Sequence, residues 1–259
     1  MMNALLALVW MILLLIGGTL LFWFAYRRSQ FTLFQFVLDR FSFIILRLLW
    51  RTQAPSKLPL EPGQGAVIVA NHRSSVDPFY IHLIAKRRVR WMVAREFCEN
   101  RWFGWFLAEA GAIPTRRGGI DNSAIRNAGN LLAQGHWVGV LPEGRINMSD
   151  EFMLPVRPGA ALIARKANVP ILPVYIEGAP YGGTPASPFL MSARVRVHVG
   201  QPLYPADFST DQEFILAATQ EIAYIAGQTD FVPQLAGRNW RPSAEQVAAD
   251  WAAAKARHA

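Results

Sequence analysis

Residues 65–77 read GAVIVANHRSSVD, an apolar run followed directly by a polar turn. The apolar, β-branched beginning predicts a buried strand over residues 66–70. Directly after that strand the chain turns through polar residues, and the turn carries His72 and Asp77 with four residues between them. In open α/β sheets, ligands bind in the crevice beyond the carboxyl ends of the strands. A polar turn in this position is therefore the first candidate for a functional site.

The pair His72 and Asp77 has two interpretations. A carboxylate that binds one imidazole nitrogen fixes the tautomer and makes the other nitrogen a better proton acceptor, so the pair suits a general base. Alternatively, Asp77 is the N-cap of a helix that begins DPFYIHLIA, with Pro78 at the first helical position. One carboxylate can fill both roles.

Beyond this turn, short β-rich runs alternate with helical stretches. The alternation predicts an α/β fold with a mostly parallel central sheet flanked by helices. Strands are predicted at residues 66–70, 89–94, 112–115, 137–141, 171–176 and 195–199. Helices are predicted at about residues 77–88, 100–110, 121–134, 157–167 and 210–227.

Two hydrophobic stretches precede the sheet and predict a membrane-anchoring two-helix segment. Residues 4–26 contain no charge and are long enough to cross the ~30 Å hydrocarbon core of a bilayer. A signal peptide is the alternative, but this stretch is longer than the apolar region of a signal peptide. It also ends in aromatic residues instead of the small residues of a cleavage site. Because Arg27 and Arg28 follow, the positive-inside rule places the rest of the chain on the cytoplasmic side of the cell inner membrane.

The second stretch, residues 31–51, is interrupted by a polar or charged side chain about once per helical turn. This amphipathic pattern favours a helix in the plane of the membrane interface over a buried core helix or a second span. We therefore predict a membrane anchor over residues 1–52, a globular domain over 53–235 and a helical tail over 236–259. The Pro- and Gly-rich residues 53–65 indicate a linker at the first boundary.

Composition narrows the possible partners and cofactors. The chain has 26 Lys and Arg against 18 Asp and Glu, and its net charge of +8 suits anionic lipid or a phosphorylated substrate. Nucleic acid is not expected as a partner, because the sequence has no recognition-helix, zinc-finger or base-stacking motif. The single cysteine, Cys98, fits a reducing compartment. The histidines are scattered and no phosphate-binding glycine loop is present, so we expect no metal and no nucleotide cofactor.

Three further stretches place special residues beside a predicted strand. GAIPTRRGG, residues 111–119, ends a strand in two arginines, which can bind phosphate or simply be solvated. LPEGRIN, residues 141–147, places Glu and Gly after a strand, where a backbone N–H and a carboxylate can approach a ligand; an ordinary turn is the alternative. NVPILPVYIEG, residues 168–178, is a buried strand whose prolines indicate a sheet edge or a bulge.

In this order, NHRSSVD, GAIPTRR, PEGR and VPILPVYIEG resemble the sequence blocks of the glycerolipid acyltransferase family, which includes the bacterial 1-acyl-glycerol-3-phosphate acyltransferases. The resemblance covers roughly residues 60–205. It implies an O-acyltransferase that moves a fatty acyl group from acyl-CoA or acyl carrier protein to the hydroxyl of a lysophospholipid, first of all 1-acyl-glycerol-3-phosphate, giving phosphatidic acid. The thioester is then a co-substrate, no cofactor is needed, and the partners are membrane lipids, the lysophospholipid acceptor and acyl carrier protein.

The resemblance also implies roles for individual residues. His72 would be the base that takes the proton of the acceptor hydroxyl, and Asp77 would orient it. Attack on the thioester would be direct, without an acyl-enzyme. A second group of residues would bind the acceptor, and Arg117 of this group would bind its phosphate. The members of the group are Asn71, Arg117, Glu143, Gly144 and Arg145.

Two departures from the family pattern leave the acceptor open. The usual Glu-Gly-Thr-Arg becomes Glu-Gly-Arg-Ile at residues 143–146, and Arg116 stands where an acidic residue is common. The PEGRIN form is similar to the acyltransferase half of enzymes that reacylate 2-acyl-glycerophosphoethanolamine. Another lysophospholipid or an aminolipid is therefore an alternative acceptor. A thioester or lipid hydrolase is a further alternative, although the chain has no G-x-S-x-G nucleophile motif.

Overall fold

The computed structural model of the protein describes residues 2–29, 31–85, 87–116, 121–237, 240 and 242–256. The chain forms two compact units, Met1–Ile44 and Ile45–Ala259. The division falls inside the second helix, earlier than the predicted end of the anchor at residue 52.

The first unit consists of helix α1 (Met2–Arg27) and most of helix α2 (Leu33–Leu48). Within it, the Phe36 ring packs on the rings of Phe22 and Tyr26, with centroids 5.2 and 5.7 Å apart. Among the described residues, one helix is long and apolar enough to cross a membrane, the 23 residues Leu5–Arg27. Most of their large side chains are exposed, whereas Tyr26 is partly covered.

The second unit is built on a six-stranded sheet in the order β3-β2-β4-β1-β5-β6. Strands β1 to β5 run parallel, and β6 pairs with β5 in the antiparallel sense. The predicted strands are all present, each within one residue of its predicted ends. They are β1 (Ala66–Ala70), β2 (Val89–Ala94), β3 (Ile113–Thr115), β4 (Trp137–Val140), β5 (Ile171–Glu177) and β6 (Arg196–Val199).

Helices flank this sheet, so the predicted fold class is confirmed. Each predicted helix forms, but several are shorter than the sequence pattern indicated, and the four-residue helix α4 was not predicted. They are α3 (Asp77–Ala85), α4 (Arg95–Cys98), α5 (Gly104–Glu109), α6 (Asn122–Ala133), α7 (Gly159–Ala167), α8 (Asp211–Ile225) and α9 (Ala244–Ala256).

Strand β1 contributes to both sides of the core. Val67 and Val69 pack in the cluster that includes residues of α6, α7 and α8, and Ile68 packs in the cluster that includes residues of α3. Successive side chains of a strand point to opposite faces, which is why every residue of β1 is buried. Helices covering both faces leave the carboxyl edge of the parallel strands as the place where polar residues gather.

Residues 45–53, which the sequence pattern assigned to the anchor and linker, pack into the second unit. Trp50 is fully buried, and its indole N–H donates to the carbonyls of Pro188 and Met191, each at 3.1 Å. The backbone of Gln53 accepts from the N–H of Val197 and donates to the carbonyl of Val195. Apolar and aromatic side chains suit a membrane interface and a protein core equally well, so the sequence pattern alone did not separate the two.

Pro173 corrects one expectation, because its strand is central and not an edge. β5 has β1 on one side and β6 on the other. The ladder toward β6 is interrupted at Pro173: Ile171 pairs with Leu203 and Val174 pairs with Val199, so one extra residue lies on the partner side. Proline lacks a backbone N–H and is tolerated at such a bulge, which was the other half of the expectation.

Candidate functional site

The carboxyl edge of the parallel strands brings together residues of three sequence blocks and Arg95, which lies outside the blocks. His72 follows β1 and Glu143 follows β4, and these two strands are neighbours in the sheet. Arg95 follows β2 and Arg116 follows β3, which pair with each other. Along this edge the residues follow the strand order β3-β2-β4-β1, which differs from their order in the sequence.

Asp77 holds the ring of His72 and the turn beneath it. Asp77 Oδ2 lies 2.9 Å from His72 Nδ1 and also accepts the backbone N–H groups of Arg73 and Ser74, both at 2.8 Å. The carboxylate is fully buried, whereas 16% of the His72 side chain is exposed. The two interpretations of this pair therefore both hold geometrically, because one carboxylate organises the turn and binds the imidazole. Nε2 is the nitrogen left for proton transfer.

The LPEGRIN block fixes the backbone of His72 from both sides. The N–H of His72 donates to Glu143 Oε1 at 2.7 Å, and its carbonyl accepts the N–H of Asn147 at 2.7 Å. The other oxygen of Glu143 accepts the N–H of Leu154 at 2.9 Å. These hydrogen bonds join the turn after β1 to the turn after β4, which is about 70 residues later in the chain.

Arg73 fastens the following loop to the same turn. Its guanidinium donates to the carbonyls of Ser149 at 2.6 Å and Glu151 at 2.5 Å, with a longer bond to Asn147 at 3.2 Å. The Asn147 side chain in turn donates to Glu151 and accepts from the N–H of Ser149. The loop that follows the Glu-Gly pair is thus a support for the residues around His72.

Burial gives Glu143 unusual electrostatics. Removal from water raises the pKa of Glu143 to about 8, although the N–H groups of Leu154 and His72 and the charge of Arg73 act in the opposite direction. Nearby Asp77 adds to the increase. An ionised Glu143 is therefore costly to keep in the folded protein, and its two backbone donors are what make the position tolerable.

The residues expected to bind an acceptor fall into two groups. Asn71 and Glu143 are buried: the amide of Asn71 donates to the carbonyl of Ile176 and accepts its N–H, at 3.0 and 2.8 Å. Gly144 is exposed and Arg145 is half-buried. Gly144 has a φ of +70°, a conformation that glycine adopts without strain, so the turn after β4 depends on it. The described contacts of Asn71 and Glu143 support the backbone, and acceptor binding by these residues stays a prediction.

A buried aspartate organises the arginine block at the other end of this edge. Asp121 caps helix α6 by accepting the N–H groups of Ser123 and Ala124, and it accepts the backbone N–H of Arg116 at 3.0 Å. The hydroxyl of Ser123 also donates to Asp121. This bond, followed by the backbone bonds from Arg116 and Ala124, lowers the pKa of Asp121. The guanidinium groups of Arg95 and Arg116 lie 3.9 and 3.7 Å from its Oδ2. Arg117, the predicted phosphate ligand, lies outside the described residues.

Sequence reasoning missed the support provided by Arg73, Asn147 and Asp121. Asp121 had a local signal, since Asp before Asn-Ser at a helix start is a typical N-cap. The partners of Arg73 are carbonyl oxygens of residues 147–152, and the backbone N–H of Asn147 donates to the carbonyl of His72; such bonds to distant backbone atoms do not show in the sequence. Among the described residues no three His, Cys, Asp or Glu side chains lie together as metal ligands. The predicted absence of a metal cofactor stays a prediction.

Comparison with known proteins gives the class of this fold and site. The family model described as Acyltransferase matches residues 52–177. Together with the relatives described next, this match confirms the resemblance seen in the sequence blocks and indicates an O-acyltransferase.

The relatives point to one branch of that class. The chain is 28% identical over 182 residues to 1-acyl-sn-glycerol-3-phosphate acyltransferase of Bacillus subtilis, covering 69% of this chain and 88% of the relative. It is 32% identical over 143 residues to the protein of the same name from Streptococcus pneumoniae, covering 52% of each. The crystal structure of the 1-acyl-sn-glycerophosphate acyltransferase of Thermotoga maritima has a similar fold, with a TM-score of 0.60, 21% identity, and coverage of 82% of this chain and 88% of that one.

Proposed function

We propose that this protein transfers a fatty acyl group from a thioester, carried by coenzyme A or by acyl carrier protein, to the free hydroxyl of 1-acyl-glycerol-3-phosphate, giving phosphatidic acid. The observation that carries the proposal is the imidazole of His72, fixed by Asp77 at 2.9 Å at the carboxyl edge of the sheet. The names of the relatives from Bacillus and Streptococcus support the choice of acceptor.

The reaction needs one base and no covalent intermediate. His72 Nε2 takes the proton of the acceptor hydroxyl as its oxygen attacks the thioester carbon. The tetrahedral intermediate collapses, the carbon–sulfur bond breaks, and the thiolate takes the proton back from the imidazolium to leave as the thiol. Asp77 stabilises the imidazolium while the proton is held. Atoms and charge balance without a cofactor.

The phosphate of the acceptor is assigned to the arginines after β2 and β3. Guanidinium groups bind phosphate bidentately, and the side chain of Arg116 is largely exposed. Arg117 follows it directly in the chain and is the residue that the family pattern assigns to the phosphate. Arg95 adds positive charge to this end of the edge, near the same buried Asp121.

The substrate and product are lipids, so the proposed location is the cell inner membrane with the catalytic domain on the cytoplasmic side. Each methylene of an acyl chain costs about 0.8 kcal/mol to expose to water, which favours an enzyme attached to the bilayer. The helix Leu5–Arg27 and the arginines that follow its apolar part support this arrangement.

A second acceptor is favoured by one feature of the chain. Where the family has Thr and Arg after Glu-Gly, this protein has Arg145 and Ile146. The positive charge is thereby shifted by one position, from residue 146 to residue 145, which suits another lysophospholipid, such as a 2-acyl-glycerophosphoethanolamine, or an aminolipid.

One experiment separates these acceptors. The full chain in lipid nanodiscs is given radiolabelled acyl-CoA or acyl carrier protein thioester and, in parallel, the lysophosphatidate, lysophosphatidylethanolamine and lysophosphatidylcholine of one chain length, or no acceptor. We expect lysophosphatidate to give the highest kcat/KM, and only free thiol at background rate without acceptor. Faster acylation of the ethanolamine lipid would replace the acceptor, and rapid thioester hydrolysis without acceptor would replace the reaction.

A further inference from the structure

The second unit carries an exposed group of large apolar side chains outside the site described above. We call it the aromatic rim. Trp102 is 78% exposed and Leu190 is 90% exposed, although both are large and apolar. The members are Phe97, Trp102, Phe103, Trp105, Phe189 and Leu190. Exposed apolar patches of this kind on a folded domain mark surfaces that meet a membrane or another protein.

The turn that presents the tryptophans is well ordered by hydrogen bonds. Asn100 Oδ1 accepts the N–H groups of Trp102 and Phe103, at 2.9 and 3.2 Å. The indole N–H of Trp105 donates to the carbonyl of Trp102 at 3.0 Å, which leaves its ring as an apolar surface with the polar atom satisfied. Gly104 lets the chain pass against the carbonyl of Cys98, where a Cβ would come within 2.2 Å. The exposed rings are therefore held in place by the fold.

Ring contacts connect the rim to the helix of Asp77. The Phe103 ring packs on Phe106 with centroids 5.3 Å apart, and Phe106 stacks on Phe79 at 6.2 Å. Phe79 also meets Phe189 edge to face at 6.2 Å. Phe79 is the third residue of α3, two residues after Asp77. An apolar path of packed rings thus runs from the exposed rim to the first turn of the helix that orients His72.

We propose that the aromatic rim inserts into the phospholipid bilayer, giving the catalytic domain a membrane contact of its own in addition to α1. Tryptophan is enriched at membrane interfaces, because its ring is apolar and its N–H is polar. The guanidinium of Arg101 lies 5.0 Å from the ring centre of Trp102, an arrangement that suits the headgroup layer. A chain tethered by a membrane-spanning helix keeps its domain beside a bilayer, which makes lipid the available occupant for this surface.

The charge of the rim segment decides which force drives insertion. Residues 95–109 contain two arginines and three glutamates, so the segment is nearly neutral and even slightly acidic. Attraction to anionic lipid therefore contributes little, and insertion rests on burial of apolar surface, which salt does not screen. Binding of the rim should consequently be the same in zwitterionic and in anionic bilayers.

The test uses labels at the rim and at a matched control position of the full chain. With Cys98 changed to serine, Trp105→Cys or Leu190→Cys carries an environment-sensitive fluorophore, and Tyr224→Cys is the control, because Tyr224 is an aromatic residue of α8 that is 68% exposed. Each protein is placed in phosphatidylcholine nanodiscs with or without lipids that carry a quencher on the acyl chain. Two rim positions guard against a variant that misfolds.

We expect the rim labels to be quenched several-fold more than the Tyr224 label, equally at about 0.1 M and about 1 M salt. Equal quenching at rim and control, or quenching that disappears at high salt, would overturn the proposal. The proposal would also be overturned if the spectrum of a rim label indicated apolar surroundings but the lipid-bound quencher had no effect on it, because the rim would then contact protein and not lipid. Acyl transfer by the unlabelled, unsubstituted chain is measured separately: absence of transfer with the quenching difference intact leaves this contact standing and counts against the proposed function.

Discussion

The two ends of the sheet edge are built in opposite ways. At the His72 end, the side chains of Asp77, Glu143 and Asn147 are buried, and their hydrogen bonds hold the His72 ring, the turn that carries it and the loop after β4. At the arginine end, one buried carboxylate, Asp121, is surrounded by arginines whose side chains reach into solvent. One end consists of buried side chains fixed by hydrogen bonds, and the other has long, exposed side chains.

This difference indicates a division of labour. A base has to meet the reacting hydroxyl in one orientation, because small misplacements cost large factors in rate. Recognition of a headgroup phosphate tolerates several geometries, since guanidinium groups can adjust to it. We therefore expect changes at the His72 end to lower kcat, and changes at the arginine end to raise KM and to alter the choice of acceptor.

The largest effect in this comparison is expected for Asp77→Asn. The amide can still occupy the space, but it removes the negative charge that favours the imidazolium and supplies an N–H where two backbone donors point. We expect kcat to fall by about 10²–10⁴-fold with KM for the acceptor changed little. Acyl transfer rates on lysophosphatidate, with circular dichroism as the check of folding, measure this. A folded variant with a raised KM for the acceptor and an unchanged kcat would contradict the proposed difference between the two ends.

An intermediate effect is expected for Glu143→Gln. The amide keeps one acceptor, so one of the two N–H groups from His72 and Leu154 loses its partner and the base is placed less accurately. We expect kcat to fall by about 10–100-fold. A rise in acceptor KM at constant kcat would instead assign Glu143 to acceptor binding.

The same variant should also change how stability depends on pH. Because the pKa of Glu143 is raised from 4.5 to about 8 in the folded protein, its neutral form favours folding, and this contribution is complete below about pH 4.5 and lost as the pH rises through about 8. Relative to Glu143→Gln, the free energy of unfolding of the unmodified protein should fall by a few kcal/mol across this range. Parallel pH dependence of the two proteins would show that Glu143 is not the titrating group.

The smallest kcat effect is expected at the arginine end. Arg117→Ala should raise KM for lysophosphatidate by about tenfold or more while kcat stays within about twofold, as expected for loss of a charge-assisted phosphate contact. Arg116→Ala is the matched comparison at the neighbouring position, whose backbone N–H is held by Asp121. An acceptor without phosphate should be insensitive to Arg117→Ala; equal losses on both acceptors would remove phosphate recognition as its role.

The sequence pattern predicted the sheet well because its strands are short β-branched runs between turns, and the polar turn after β1 was visible for the same reason. It did not separate residues 45–53 from the anchor, because Trp50 and its neighbours have a composition common to membranes and cores. It also missed Asn147 and the support that Glu143 gives to the backbone of His72, while the acceptor-binding role of Glu143 stays a prediction. Their contacts with His72 join segments about 70 residues apart, and hydrogen bonds to backbone atoms do not select a recognisable partner residue.

The most direct test is the rate of acyl transfer by His72→Ala in the full chain, compared with a His82→Ala control on the following helix α3. With labelled acyl-CoA and lysophosphatidate in nanodiscs, we predict that His72→Ala falls to the rate without enzyme, a loss of at least about 10³-fold, while His82→Ala keeps most of the activity. A folded His72→Ala protein that retains a tenth of the normal rate would contradict the assignment of His72 as the base.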